Sequence, residues 1–420
     1  MPTLPVPSFR RAAGSLGRLA ALLCLTGVSG AAALPPGAAS SAGAALPAGS
    51  GVTVLLRWSV PEPRLTGTRL ERPVLHMSDS LPVTAAALNA ARSGSLDALR
   101  PQLGALYARI EARTPRDVRF TQVGGQWRAQ ARTGWRVDRE ASERALLNVL
   151  AGAGSADSAR VTAPLTVKLQ APARSVAWAQ RQGLTFLATG TSGFAGSPDF
   201  RVQNIRVGAS RVHGVWVEAG AELNFNALVG PVTAAQGFAP GYVISGGTLS
   251  VEDGGGLCQV STTVFRAAFR AGLPVTERHA HSYQVGYYGA PGLDAAVYAP
   301  SKNLRWRNDT RGPLLVQAQW NLNARTLSVH LFGRDDGRRV SISAPAVRDA
   351  RPAPDPTFLP DAALKPGEAR RIDMPSAGAQ VRVTRQVKLP GGQVRRDEVN
   401  SRYRAWGGVF AVPPGDERLN

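Results

Sequence analysis

Residues 254–261 read Gly-Gly-Gly-Leu-Cys-Gln-Val-Ser, and Cys258 in that run has the makings of a nucleophile. The thiolate is the reactive form of cysteine, and the first turn of a helix favours it through unpaired N–H groups and the positive end of the dipole. Leu257, Val260, Val264, Ala268 and Leu273, interleaved with Phe265 and Phe269, predict such a helix, starting behind the glycines and ending at Gly272. Gly254, Gly255 and Gly256 let the backbone take positive φ and come close to a ligand. A nucleophile also needs a base. The run Glu277-Arg278-His279-Ala280-His281-Ser282 offers two, and on an extended segment residues two apart share a face, which predicts His279 and His281 on one side. Asp294 is a carboxylate able to orient either ring, and Gln259 with the helix N-terminus would supply donors to an oxyanion.

The same residues admit other readings. Free cysteine is among the most buried residue types, so Cys258 could be plain core packing. Cys258, His279 and His281 could ligate a metal with one open position. No CxxC or HExxH spacing supports that, and neither a metal nor a cofactor is expected. With no GxxxxGK[ST] and no GxGxxG after a strand, nucleotide binding is not expected either.

The chain has 420 residues and two cysteines. Arg10, Arg11 and Arg18 precede an apolar run from Leu19 to Val28 and the small residues Gly30–Ala33, a secretory signal layout over residues 1–33 that contains Cys24. Its removal leaves Cys258 without an intrachain disulfide partner. The predicted location is therefore the periplasm, cell wall or extracellular space, with at most peripheral membrane contact. The formal charge of +20 is carried mostly by arginine, without a dense basic block. Such a diffuse field favours polyanions, which for an exported protein means an anionic wall polymer rather than nucleic acid.

Residues 34–50 are rich in Pro, Gly, Ser and Ala and read as a flexible tether. Residues 51–175 read as an independent α+β module, with a strand at Val52–Leu56, helical spacing in Ala85–Ala112, a hairpin turning at Gly124-Gly125, a helix over Arg139–Leu150 and a strand over Arg160–Gln170. Residues 185–333 form a central mixed α/β domain that closes with a hairpin of Leu314–Trp320 and Thr326–Phe332. Five prolines mark 344–365 as a linker, and 366–415 read as a small β module turning at Pro390-Gly391-Gly392. The fold class is multidomain α+β.

Several ordered blocks then make a resemblance specific: Arg201-Val-Gln-Asn-Ile, Ala221-Glu-Leu-Asn-Phe-Asn, Val229-Gly, Gly241-Tyr, Gly254-Gly-Gly-Leu-Cys-Gln-Val-Ser-Thr-Thr, Ala271-Gly-Leu, Glu277-Arg-His-Ala-His-Ser, Asp294-Ala-Ala-Val and Leu304-Arg-Trp-Arg-Asn. Together they resemble the VanW family across about 130 residues, a span within the usual range for one domain. The resemblance implies an exported or membrane-anchored envelope protein linked to glycopeptide resistance or wall maintenance. It also adds Asn226, Ser261, Thr262 and Arg278 to Gln259 and the three glycines as ligand-binding candidates. Residues 51–175 resemble the peptidoglycan-binding domain often found before a VanW region, through Thr133-Gly-Trp-Arg-Val-Asp. The tail resembles a degenerate G5 domain through Gly367, Val381-Arg-Val-Thr-Arg and Ser401-Arg-Tyr, with Gly378-Ala379 where the usual glycine precedes the strand.

Two functions follow. One is a non-catalytic envelope protein that binds peptidoglycan or another wall glycan. The other is an enzyme with Cys258 as nucleophile, His281 or His279 as base and Asp294 as orienting carboxylate, performing acyl transfer or hydrolysis on peptidoglycan stem peptides.

Overall fold

The computed structural model describes residues 51–153, 160–245 and 248–419, apart from the side chains of residues 242–252. The expected export signal and tether, with Cys24, lie outside them. Several small sheets and seven α-helices make the described residues α+β.

The central domain is built on a four-stranded sheet in the order Leu184–Gly193, Thr326–Arg334, Leu314–Asn321, Val215–Val217, all antiparallel. Two helices, Asp199–Val212 and Leu257–Arg270, pack with it around one apolar core that includes Ile205, Phe265, Phe269 and Leu331. The second of these carries Cys258 and is called the site helix below. Its spacing predicts one apolar face, yet it is buried on nearly every side from Gln259 to Phe269. Its polar residues are inside as well, and buried polar groups need partners. Thr263 Oγ1 meets Ser192 Oγ at 2.7 Å, and Arg266 Nη1 donates to Thr191 O at 2.8 Å, both on the adjoining strand.

On its other side the site helix is fastened to residues 293–297. Arg266 Nε donates to Leu293 O at 2.7 Å, Ser261 Oγ donates to Ala295 O at 2.6 Å, and Thr262 Oγ1 accepts the Ala295 N–H at 3.0 Å. The Cys258 sulfur lies 3.4 Å from both the N and the O of Val297. Helix positions 266, 262 and 258 thus meet positions 293, 295 and 297. Four helical residues rise about 6 Å, and two extended residues advance about 6.6 Å. The two segments therefore stay in step along three successive contacts.

The flanking regions are less separate than the sequence suggests. Residues 51–170 hold the sheet of Val74–Thr84, Gly51–Pro61 and Arg160–Pro164, with a core of its own. The hairpin of Arg116–Val123 and Gln126–Arg132, however, docks on the central sheet. There Phe120 stacks on Phe332 with centroids 4.1 Å apart, and Gln317 bonds both the N–H and the C=O of Phe120 at 3.0 and 2.6 Å. The strand expected over Arg160–Gln170 is two strands, Arg160–Pro164 and Val167–Gln170. The 344–365 segment, expected as a linker, contributes strands Ala346–Arg351 and Thr357–Pro360. The first is an edge strand against Gly378–Lys388, the second pairs with Val409–Val412, and most of the prolines fall between them. The hairpin of Gly378–Lys388 and Val394–Tyr403 completes the C-terminal β module.

The tightest packing in the central domain is at Gly190, where a Cβ would lie 2.0 Å from Thr263 O and 2.6 Å from Ala267 N of the site helix. Backbone on both sides leaves nothing to move aside. Gly190→Ala is expected to lower the urea midpoint by an amount equivalent to about 2–3 kcal/mol. An unchanged midpoint would contradict this approach of strand to helix.

Candidate active site

The site helix begins at Gly256, whose φ of 110° is left-handed and whose first turn has no side-chain cap. A Cβ at Gly256 would sit 2.9 Å from Arg201 Cγ and 3.2 Å from Arg201 O, so both conformation and space call for glycine. Asn204, fully buried on the neighbouring helix, holds the glycine loop by donating to Gly255 O at 3.1 Å and to Ala239 O at 2.9 Å. Cys258 follows in the first turn, half-buried and unpaired with any other sulfur.

His281, from the loop after strand Val275–Glu277, lines the same cleft as Cys258, and the charges of the two groups act on each other. Its Nδ1 lies 2.5 Å from Asp294 Oδ2, the oxygen that also accepts the His281 backbone N–H at 2.9 Å. Asp294 is 5% exposed, and its other oxygen accepts from Arg278 Nη2 at 2.8 Å and from the Tyr403 hydroxyl at 2.6 Å. Behind the cleft that holds thiol and imidazole, the buried carboxylate thus fixes the imidazole. The cleft measures about 650 Å³, and its walls include Gly254–Gly256, Arg201, Asn226, Tyr283, Tyr287 and Asp373.

The remaining sequence candidates divide. Gly254, Gly255, Gly256 and Asn226 line the cleft, and the Asn226 amide donates to Lys302 O at 2.9 Å. His279 is not beside the thiol: its Nε2 is 3.0 Å from Glu277 Oε1. The regular strand stops at Glu277, so the two-residue parity that predicted a shared face does not extend to His281. A metal set of Cys258, His279 and His281 does not converge for the same reason. Gln259, Ser261, Thr262 and Arg278, expected at a ligand, are turned into the protein. Gln259 Nε2 donates to Ser192 Oγ at 3.0 Å and Gly193 O at 2.7 Å, so it is no oxyanion donor. Ser261 and Thr262 fasten Ala295, and Arg278 holds Asp294 through its backbone O as well as its carboxylate.

Some site residues went unassigned from the sequence. Arg201 and Asn204 stood in a motif block but carried no role. The tyrosines Tyr283, Tyr287, Tyr288 and Tyr298, all on the cleft, were legible as an aromatic cluster just beyond His281. Arg201 lies over the Tyr287 ring, 4.2 Å from its centroid.

The electrostatics favour a charged pair. Burial pushes the Cys258 thiol up, but the hydrogen bond and charge of His281, the Val297 N–H and Arg201 together bring it below its ordinary 9.0. Burial pushes His281 down, yet its bonds to Asp294 and Cys258 raise it from 6.5 to about 9. Asp294 is likewise pushed up by burial and held far below the usual carboxylate range by His281, Arg278 and Tyr403. The shifts run toward a thiolate beside an imidazolium. Because Asp294 ionises in the fold below its unfolded value of 3.8, its contribution to stability is present above about pH 4 and lost as the pH falls below it. Asp294→Asn is expected to drop the His281 titration from about 9 toward 6.5 and to flatten the acid limb of stability, read by NMR and by urea midpoints. A His281 titration that stays near 9 would contradict the carboxylate's role.

Comparison with known proteins agrees with this frame. The family described as VanW like protein matches residues 200–332, which span the glycine loop, the site helix, His281 and Asp294. Protein YoaR of Bacillus subtilis (strain 168) is 36% identical over 126 residues, 30% of this chain and 41% of that protein. The vancomycin B-type resistance protein VanW of Enterococcus faecalis (strain ATCC 700802 / V583) is 27% identical over 116 residues, 26% of this chain and 42% of that protein. The chain thus spans less than half the length of each of these relatives. Its residues 200–332 are a VanW-like domain.

Proposed function

We propose that this protein is a thiol-dependent acyl-transfer enzyme of the cell envelope, acting on the peptide stems of peptidoglycan. The observation that carries the reading is Cys258 and His281 on one cleft, with Asp294 bonded behind the imidazole. A binding-only protein would have no use for a buried carboxylate that sets the tautomer of an imidazole at a thiol. The Cys258 thiolate attacks the carbonyl carbon of a peptide bond, forming a C–S bond and a tetrahedral oxyanion. The Cys258 backbone N–H, which has no acceptor among the described residues, is the donor nearest that charge. As the oxyanion collapses the C–N bond breaks, and the His281 imidazolium gives its proton to the departing amine. A thioester remains. An amine or water then attacks it, His281 takes the proton, and the thiolate leaves.

Substrate and place are part of the same proposal. The signal-like residues 1–33 support export, and the net charge of +20 supports residence beside anionic wall polymer. The relative named for vancomycin B-type resistance supports an envelope role. The flanking modules would hold the enzyme on peptidoglycan or another wall glycan, as their resemblances suggest.

Incubation of the purified protein with muropeptides, followed by intact-protein mass spectrometry, tests this. The expected result is a covalent adduct on Cys258 and turnover that falls at least about 1,000-fold in Cys258→Ala. Wall binding without adduct or turnover, unaffected by Cys258→Ala, would leave the binding reading in its place.

A further inference from the structure

We infer that the C-terminal β module is part of the catalytic apparatus, with Tyr403 the positioning residue that fixes Asp294 and, through it, the ring of His281. This rests on the reading of Cys258, His281 and Asp294 as a working unit. The segment that carries His281 and Asp294, residues 278–295, has only one turn of 3-10 helix, Gly286–Tyr288, within it. Such a segment does not hold a side-chain geometry by its own backbone bonding. The site helix fixes its end at Leu293–Ala295, and the end of strand Val394–Tyr403 holds the rest.

Four contacts make that hold. The Tyr403 hydroxyl, on a side chain 5% exposed overall, donates to Asp294 Oδ1 at 2.6 Å and accepts the Gly292 N–H at 2.9 Å. Arg278, the second donor to Asp294 Oδ1, is itself fixed to Ser401 Oγ at 2.8 Å and Asn400 O at 3.1 Å. The Arg404 N–H donates to the carbonyl of Ser282, next to His281, at 2.7 Å. Tyr283 stacks on Trp406, with centroids 5.3 Å apart and planes 17° apart. Gly292 adds a steric lock: its φ is 100°, and a Cβ there would lie 2.9 Å from both Val381 and Val383 of the module.

The division of labour at Asp294 gives these contacts their meaning. Oδ2 is committed to His281, whose backbone N–H and Nδ1 both meet it. The carboxylate keeps that oxygen on the ring only if Oδ1 is pinned, and both groups that pin it depend on the module. Tyr403 touches neither thiol nor cleft in these contacts, so its effect on chemistry runs through Asp294 and the Gly292 backbone beside it.

The test follows the rate of Cys258 alkylation by iodoacetamide across pH in the full-length protein, with thermal midpoints alongside. In Tyr403→Phe the half-maximal pH is expected to move up by about one unit, a tenfold loss of thiolate below the midpoint. Ser401→Ala, which removes one anchor of Arg278, is expected to move it the same way by less, and it decides the matter if Tyr403→Phe does not fold. Arg402→Ala, exposed on the same strand, should leave the profile unmoved. A Tyr403→Phe profile that superimposes on the parent, while Asp294→Asn and His281→Ala profiles shift, overturns this inference and leaves the three-residue reading standing. An equal shift in Arg402→Ala overturns it too. If neither Asp294→Asn nor His281→Ala moves the profile, the three-residue reading falls and this inference with it.

Discussion

The site depends on a match of two repeats. Along one side of the helix Leu257–Arg270, residues four apart meet residues two apart on the segment 293–297, because a helical turn and two extended residues cover nearly the same distance. Arg266, Thr262 with Ser261, and Cys258 are the successive contacts. With Leu293, Ala295 and Val297 fixed in this way, Asp294 is placed between two anchored neighbours. Its carboxylate then reaches His281 with its hydrogen bonds going to Arg278, His281 and Tyr403 rather than to the helix.

The match also explains why so much polar chemistry is buried where apolar packing would be simpler. Each unsatisfied buried polar group costs about 1–3 kcal/mol. Ser261, Thr262, Thr263 and Arg266 all find acceptors, so their burial is tolerable, and their bonds are directional where apolar contacts are not. The two ends of the helix are treated differently. At the C-terminal end Arg385, 1% exposed, donates to Phe269 O and Leu273 O and pairs with Asp397. At the N-terminal end the thiol takes the anionic role that the helix dipole favours. The dipole is worth about 0.3–1 kcal/mol, and the hydrogen bonding and charge of His281 are the largest influences that lower the thiol. The imidazole and its carboxylate, more than the helix end, decide the state of the thiol.

Local pattern was legible where the chain solves its problem locally. The glycine run, the helix behind it, the hairpin at Gly124-Gly125 and the hairpin of residues 314–334 follow from turn chemistry and periodicity. Cys258, His281 and Asp294 were legible as residue types, since few others on the chain could share that work. Their neighbours were misjudged. Gln259, Ser261 and Thr262 sit one to four residues from the nucleophile in the same motif block, but a shared block does not mean a shared face. A helix turns adjacent residues by 100°, so the next positions face the strand Leu184–Gly193 or Ala295. His279 failed for the complementary reason: parity holds only while the strand does.

Long-range relations left no local mark. Tyr403 is 109 residues from Asp294, and nothing in its alternating strand distinguishes an inward tyrosine that packs from one that donates. The strand Ala346–Arg351 is exposed along its whole length, so it shows no alternation to read and passed for linker. The central claim is that His281, held by Asp294, brings the Cys258 thiol below its ordinary value of 9.0. Its most direct measure is the ultraviolet absorbance of the thiolate against pH, taken as the difference between the parent and Cys258→Ser. The account predicts a thiolate signal whose midpoint lies below the ordinary cysteine value of 9.0 and moves up in His281→Ala; a midpoint at or above 9.0 would contradict it.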